Sequence, residues 1–180
     1  MSPLERALAS YAAYHRDRRN IATHFAGIPM IVLAAVIAAG TLAVPIAGME
    51  VTLAAVLSLA ACAWYFRLDP AFGATLAVAL LAACAIASEA IARLGTGSAL
   101  ALAALLFVAG WALQFLGHRY EGVKPAFFDD LRQLLVGPLF VCAEAAFLLG
   151  GRGELRGAIE ARVGPTVPRR DGAPLPLVPR

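Results

Sequence analysis

The chain has 180 residues, of which 61% are hydrophobic and only 15% are charged, and its formal net charge is +3. A water-soluble domain of this length has too little interior to hide so much apolar surface, so the composition indicates a protein that folds in lipid. The basic residues do not form the aromatic-interleaved basic face that nucleic acids require, so we exclude a nucleic-acid partner.

The first segment predicts a helix that begins at Ser2. Ser2 is the expected N-cap, Pro3 suits the first helical position, and Glu5 completes a capping box. This pattern suits an N-terminal interfacial helix on a membrane surface, and it suits equally a solvated cytoplasmic helix. The stripe on one face of this helix consists of Leu4, Leu8, Tyr11 and His15.

Four apolar runs follow, and each of them predicts a transmembrane helix. A run of about 20 apolar residues is long enough to cross about 30 Å of hydrocarbon. The connections are short, so neighbouring helices are expected to be antiparallel. The predicted fold class is therefore all-α, an integral membrane bundle of four transmembrane helices. The predicted spans are residues 27–48, 50–66, 71–92 and 98–117.

The distribution of lysine and arginine predicts the orientation of this bundle. In a four-pass layout, only Arg93 falls on one side, while most of the other basic residues of the helical region fall on the opposite side. By the positive-inside rule, the N-terminus is then cytoplasmic, in a bacterial inner membrane or in the endoplasmic reticulum of a eukaryote. The basic residues on the cytoplasmic side are Arg6, Arg16, Arg18, Arg19, Arg67, Arg119 and Lys124.

The C-terminal part predicts one more membrane-associated element. Residues 134–150 are apolar but short, and they contain Pro138 and Glu144. If they crossed the membrane, the arginines that follow would lie outside, so we predict a re-entrant or interfacial helical segment that caps the site. The expected organisation is one catalytic domain, residues 1–150, followed by a disordered Arg/Pro-rich cytoplasmic tail, residues 151–180.

The three histidines of the chain are predicted to meet at the cytoplasmic membrane surface. An even number of predicted crossings separates His24 from His118, so both return to the side on which His15 lies. In one unbroken helix, the nine residues from His15 to His24 would rotate by about 900° and place the two rings on opposite faces. Asn20 is a good N-cap residue and predicts a helix break at Arg19–Asn20. With that break, the two rings can face a shared point.

A metal site is the chemistry that this arrangement favours. Three imidazoles suit a borderline metal such as Fe(II) or Zn(II) and leave coordination positions open. His118 and Glu121 are three residues apart, so both are expected to point at one ion, and Glu144 is the other candidate carboxylate because a buried acid is costly unless paired. Asn20 or Gln114 could orient a ligating ring. Taken singly, each histidine would instead be a surface or interfacial residue.

Three stretches of this sequence resemble the fungal 2-hydroxy fatty acid dioxygenase family. They are YAAYHRDRRNIATHFAGIP at residues 11–29, WALQFLGHRYEGVKPA at residues 111–126 and GPLFVCAE at residues 137–144. Members of this family are small multi-pass enzymes of Fe(II)-dependent α-oxidation in phytosphingosine breakdown. The resemblance covers about residues 4–150 and implies that the iron-site histidines are His15, His24 and His118. Val123-Lys124 departs from the family pattern, which is expected to carry a more polar pair.

The resemblance implies a dioxygenase that uses Fe(II) and O2 to shorten 2-hydroxy fatty acids by one carbon at the cytoplasmic face of the bilayer. We expect Arg119 to steer the substrate carboxylate and Glu121 or Glu144 to accept the hydroxyl proton. Two alternatives stay open at this point. One is a zinc-dependent membrane lipid hydrolase, in which the metal activates water, and the other is a non-enzymatic scaffold or carrier. The sequence does not fix the oligomeric state.

Overall fold

The computed structural model describes residues 1–167, and most of these residues are helical. In chain order the elements are α1 (Pro3–Ala12), α2 (Arg18–Gly40), β1 (Ala43–Ile46), β2 (Met49–Thr52), α3 (Leu53–Leu68), α4 (Pro70–Glu121), a 3-10 helix (Ala126–Phe128), α5 (Gln133–Leu148) and α6 (Gly153–Val163).

The chain divides into two compact units, and the boundary between them falls inside α2 and α4. One unit, here called the apolar unit, is Pro29–Trp111. The other, here called the histidine unit, consists of Met1–Ile28 and the described residues from Ala112 onward. The histidine unit holds all three histidines of the chain.

The core of the apolar unit is built mainly from alanine. Ile37 and Ala99 are completely buried at its centre, and both parts of α4 contribute to the same cluster. Small side chains let helix backbones approach closely, as is common in membrane proteins. Many large apolar side chains of this unit are instead exposed, as expected if lipid covers them. Examples are Leu57, Leu59, Val78, Leu81, Leu105 and Val108.

Two of the predicted spans, residues 71–92 and 98–117, correspond to the two parts of α4. They are separated at Gly95, whose φ of 75° and ψ of 160° are not helical. Glycine adopts a positive φ without the steric cost that a Cβ atom imposes. Ala87 before the break and Ala103 after it belong to one core cluster, so the two parts pack into the same interior.

The helices α2 and α4 are long and apolar enough to cross a membrane, and the bent pair α5–α6 adds a third candidate if it forms one span. This pair bends by 115°, which suits a broken span or a re-entrant loop. Helix α3 is apolar but has only 16 residues, fewer than the roughly 20 that a straight crossing needs. The described residues therefore contain two or three candidate spans, and the four-pass bundle stays a prediction.

The all-α prediction is wrong for a short hairpin that follows α2. The first predicted span extends to residue 48, whereas α2 ends at Gly40 and β1 pairs with β2 in antiparallel register, Ile46 opposite Met49. Ala47 and Gly48 form a two-residue turn with φ values of 49° and 80°. Positive φ at both central positions matches the twist of a tight hairpin. Apolar composition does not separate this hairpin from a helix, because a short apolar run is compatible with either element.

The N-terminal helix has the predicted start. Ser2 and Glu5 form a reciprocal capping box, in which the Glu5 backbone N–H donates to Ser2 Oγ at 3.1 Å. The predicted stripe is buried, and α1 packs against α5 and α6, so this face of the helix contacts protein.

Helix α6 lies inside the segment that the sequence assigns to a disordered tail. Its residues Ile159 and Val163 are buried, and the helix packs against α1. They are four residues apart and therefore share one helix face. The signal is weak in the sequence because glycines and arginines surround these two residues. The remainder of the predicted tail, from residue 168, lies outside the described residues.

Candidate metal centre

The predicted helix break does separate His15 from His24, but it covers residues 13–17 and not Arg19–Asn20, and a different residue caps the second helix. Helix α1 ends at Ala12 and α2 begins at Arg18. Asp17 Oδ1 accepts a hydrogen bond from the Arg19 backbone N–H at 2.8 Å, so Asp17 and not Asn20 caps α2. Aspartate and asparagine are equally good N-cap residues, so their order in the sequence does not decide between them.

The structure brings the three histidines together in the interior of the histidine unit. His15, His24 and His118 are 0%, 1% and 6% exposed. Nε2 of His15 lies 3.0 Å from Nε2 of His24, and one ring nitrogen from each histidine lies within 4.8 Å of the others. Helix α4 supplies His118, the first turns of α2 supply His24, and the connection after α1 supplies His15.

Hydrogen bonds to backbone carbonyls fix which ring nitrogens can bind a metal. Nδ1 of His15 lies 2.7 Å from the Tyr11 carbonyl oxygen, and Nδ1 of His24 lies 2.8 Å from the Asn20 carbonyl oxygen. A carbonyl only accepts, so each Nδ1 carries the proton and each Nε2 presents a lone pair. Two such lone pairs at 3.0 Å repel each other unless a cation lies between them.

His118 differs from His15 and His24 in the hydrogen bonding of its Nδ1. Its Nδ1 is buried and has no hydrogen-bond partner among residues 1–167. A buried polar atom without a partner is costly, and a metal ion would remove that cost. Three imidazoles with available lone pairs therefore fit a divalent metal of the iron or zinc type.

The surroundings of His15 favour the neutral ring that a metal requires. Burial lowers the pKa of His15 well below its ordinary value of 6.5, and the neighbouring His24 and His118 lower it further. Protons therefore compete poorly with a metal ion for the His15 ring at neutral pH.

Helix α5 and Tyr11 enclose His15. The Tyr11 ring stacks on the His15 ring with a centroid distance of 4.1 Å and an interplanar angle of 1°. The Phe140 ring lies 5.4 Å from His15 and 4.9 Å from Tyr11. A Cβ atom at Gly137 would lie 3.3 Å from the Tyr11 hydroxyl oxygen, so the glycine makes room for the phenol. This contact gives a structural reason for the glycine at the start of GPLFVCAE.

Glu121 anchors the connection between α1 and α2. The carboxylate is 2% exposed. It accepts hydrogen bonds from the backbone N–H of Arg16 at 3.0 Å, from that of Asp17 at 2.7 Å and from Asn20 Nδ2 at 3.1 Å. A carboxylate is favourable here because backbone N–H groups at a helix start are partly positive.

The sequence predicts that Glu121 binds the same metal ion as His118, but the structure does not place the Glu121 carboxylate among the candidate metal ligands. Among residues 1–167, the group that could hold a metal consists of the three histidines alone. The Glu121 carboxylate serves the loop instead, and Glu144 lies 3.7 Å from the Arg16 guanidinium. The Arg119 side chain is exposed near the end of α4.

Arg16 is buried next to His15, although the sequence predicts it only as one of the basic residues on the cytoplasmic side. It is 4% exposed, and its Nε donates to the carbonyl oxygens of Ala12 at 2.8 Å and His15 at 2.9 Å. Its Nη1 donates to the Gly164 carbonyl at 3.2 Å, and the Val167 N–H donates to the Arg16 carbonyl at 3.0 Å. The segment after α6 therefore crosses the connection that carries His15. No local signal separates this arginine from the others in HRDRR.

Replacing Glu121 with glutamine is expected to destabilise the histidine unit. The amide keeps the volume but loses the charge, and its NH2 group opposes the backbone donors, so we expect a loss of about 2 kcal/mol. Thermal unfolding in detergent measures this loss. Glu154→Gln is the matched control because Glu154 is exposed in the first turn of α6. Equal unfolding midpoints for the two variants would contradict the anchoring role.

The metal-free protein is expected to lose stability on acidification. The pKa of His15 is lowered in the folded state, so the unfolded state binds more protons once the pH falls below about 6.5, and folding stability then decreases. Unfolding midpoints of metal-free protein between about pH 8 and about pH 5 measure this slope. His15→Asn should make the slope shallower, and an unchanged slope in that variant would refute the assignment.

Fold and site together define a class of protein: an apolar helical chain with a buried three-histidine centre that fits a metal ion. A family model described as 2-hydroxy-palmitic acid dioxygenase Mpo1-like matches residues 1–149, and the chain belongs to this Mpo1-like family. The family membership predicted from the sequence is thus confirmed. No curated protein and no solved structure matches the chain significantly. The matched region ends before α6.

Proposed function

We propose that this chain is a membrane-embedded, Fe(II)-dependent dioxygenase that shortens 2-hydroxy fatty acids by one carbon. The observation that carries the proposal is the convergence of three buried imidazoles in a chain whose family is named for dioxygenase activity. That name also supports a 2-hydroxy fatty acid as the substrate and O2 as the oxidant.

The proposed reaction balances with dioxygen alone. RCH(OH)COOH and O2 give RCOOH, CO2 and H2O. The bond between C1 and C2 breaks, C1 leaves as CO2, and C2 is oxidised to the new carboxyl group while O2 is reduced. No nucleotide or external reductant is required, which agrees with a sequence in which we find no glycine-rich nucleotide loop.

Iron(II) held by His15, His24 and His118 would supply the electrons that activate dioxygen and open positions for the carboxylate and hydroxyl of the substrate. The three histidines are neutral ligands, so they leave the site positively charged and favour an anionic chelator. Tyr11 and Phe140 cover His15 and limit the access of water. Arg119, exposed beside His118, is proposed to attract the substrate carboxylate.

For the proton acceptor we favour Glu144 over Glu121. The Glu121 carboxylate is already engaged by the donors of the α1–α2 connection. Glu144 lies four residues after Phe140 and therefore on the same face of α5 as a residue that contacts His15. Its pairing with Arg16 would hold it in place until it accepts the hydroxyl proton.

The membrane supplies the substrate in this proposal. Helices α2 and α4 are long enough to cross the bilayer, and the exposed leucines and valines of the apolar unit suit a lipid environment. We propose a multi-pass topology with a cytoplasmic N-terminus. An acyl chain could then stay in lipid while its carboxyl end reaches the histidines at the start of α2 and the end of α4.

The test uses detergent-purified protein. We expect stoichiometric iron, and we expect 2-hydroxyhexadecanoic acid added without oxygen to remain intact until O2 is admitted. Oxygen should then yield pentadecanoic acid and CO2 with one O2 consumed per substrate. Turnover in iron-free, chelator-treated protein would refute the proposal. Zinc in place of iron together with lipid hydrolysis in the absence of O2 would establish the hydrolase alternative instead.

A further inference from the structure

Three buried polar atoms near the histidines have no hydrogen-bond partner among residues 1–167. They are Asn20 Oδ1, Gln114 Nε2 and His118 Nδ1. The residues that carry them are 0%, 5% and 6% exposed, so bulk water does not satisfy these atoms. A buried acceptor and a buried donor without partners are each costly, and such pairs in native proteins call for an explanation.

The space at Gly117 shows where the Asn20 oxygen lies relative to α4. A Cβ atom at Gly117 would lie 2.4 Å from Asn20 Oδ1, so this oxygen lies directly against α4. Gln114, Gly117 and His118 are spaced by three and four residues and share one helix face. Side chains of a helix lean toward its N-terminus, so the His118 ring lies over the turn of Gln114. The Asn20 oxygen therefore lies against the face of α4 that carries Gln114 and His118.

The hydrogen bonds of Asn20 fix which end of its amide faces α4. Its Nδ2 donates to the Tyr14 carbonyl at 3.2 Å and to Glu121 Oε2 at 3.1 Å. Flipping the amide would lose both bonds, so the acceptor oxygen is the end that lies against Gly117. The same residue is tied to the metal centre because its backbone carbonyl lies 2.8 Å from His24 Nδ1.

A rigid acceptor and a buried donor beside a metal-facing imidazole suit a hydroxyl group, which both donates and accepts. Resting on the proposed function, we propose that Asn20 and Gln114 bind the 2-hydroxyl group of the fatty acid and select 2-hydroxy acids over unsubstituted ones. In the bound acid, before the hydroxyl proton passes to Glu144, the hydroxyl group donates a hydrogen bond to the Asn20 oxygen, and the Gln114 amide donates a hydrogen bond to the hydroxyl oxygen. A fatty acid without the hydroxyl leaves both buried groups unpaired, which is the strongest form of discrimination that a binding site achieves.

Binding to cobalt-substituted protein tests this selectivity without turnover. The Co(II) absorption spectrum reports titrations with 2-hydroxyhexadecanoic acid and with hexadecanoic acid. We expect Gln114→Met to bind cobalt in the wild-type ratio and to weaken binding of the 2-hydroxy acid by about tenfold. Binding of hexadecanoic acid should not change. Gln133→Met is the matched control, since it exchanges another buried glutamine, whose Nε2 donates to Ser10 Oγ at 3.0 Å in α1.

The outcomes of these titrations distinguish failure of the 2-hydroxyl selectivity from failure of the dioxygenase proposal. A Gln114→Met protein that retains the wild-type preference for the 2-hydroxy acid overturns this inference and leaves the dioxygenase proposal intact. Wild-type protein that binds both acids equally overturns the inference as well, and wild-type protein that binds neither acid removes the proposed function with it. If Gln114→Met does not load cobalt, the same titrations are carried out with Gln114→Glu. This variant keeps the shape of the side chain but replaces the amide donor with a carboxylate, so it should also lose the preference for the 2-hydroxy acid.

Discussion

Alanine at position 15, 24 or 118 is expected to remove the metal and the activity together. Each substitution deletes one of three imidazoles whose nitrogen atoms lie within 4.8 Å of one another, and the remaining two cannot hold the ion. We expect metal affinity to fall by more than about 100-fold, because even residues that only support a ligand contribute 10–100-fold. Metal analysis after dialysis and O2 uptake with 2-hydroxyhexadecanoic acid measure both losses.

The control for these variants is Gln133→Ala, which truncates a buried polar side chain of the same unit outside the histidine cluster. It should retain metal and O2 uptake. Wild-type metal content in His24→Ala would show that the 3.0 Å approach of His15 and His24 has another cause.

Gly117→Ala is expected to disrupt the histidine unit, because Gly117 has the closest Cβ contacts among the glycines of this unit. The new Cβ atom would lie 2.2 Å from Thr23 Oγ1 and 2.4 Å from Asn20 Oδ1, far closer than van der Waals contact allows. Either Thr23 and Asn20 would have to turn aside, with loss of the Asn20 hydrogen bonds to Tyr14 and Glu121, or α2 and α4 would have to separate, and we expect a cost of about 3 kcal/mol. His24 and His118 lie on these two helices, so metal should be lost as well. Thermal unfolding in detergent and metal content measure the two effects.

The matched control is Gly97→Ala, because the Cβ atom of an alanine at Gly97 would meet nothing within 4 Å and the residue is also in α4. Its unfolding midpoint should stay at or above that of wild type. Thr23→Ala in the Gly117→Ala background removes the nearer of the two clashing oxygens and should restore part of the stability. Equal behaviour of Gly117→Ala and Gly97→Ala would contradict the close approach of α2 and α4.

The features that sequence could predict are those with local causes. The capping box of Ser2 and Glu5 depends on residues three apart, and it forms as expected. The sequence also indicates the helix break that lets His15 and His24 meet, although the break covers residues 13–17 and not Arg19–Asn20. Family membership follows from motifs whose order and spacing are specific in combination.

The features that sequence missed depend on contacts between distant segments. Glu121 was expected to face the ion with His118, yet it binds backbone donors of the α1–α2 connection more than a hundred residues earlier. Arg16 differs from its neighbouring arginines only because Gly164 and Glu144 surround it. Nothing within a helical turn of either residue encodes those partners.

The hairpin after α2 was missed for a different reason. Val44 and Ile46 continue the apolar run of α2, and a lipid-facing helix and an exposed apolar strand have the same composition. The turn at Ala47-Gly48 marks the difference, since both residues adopt a positive φ that a helix excludes, and Pro45 within β1 also disfavours a helix.

The central claim, that three imidazoles hold one iron ion, is tested most directly by X-ray absorption at the iron K-edge of anaerobic Fe(II)-loaded protein. The scattering should require three imidazole ligands for wild type, in agreement with the three converging histidines, whereas His118→Ala treated with the same iron should show no imidazole-bound iron. A wild-type spectrum without imidazole scattering, or one that His118→Ala leaves unchanged, would contradict the account.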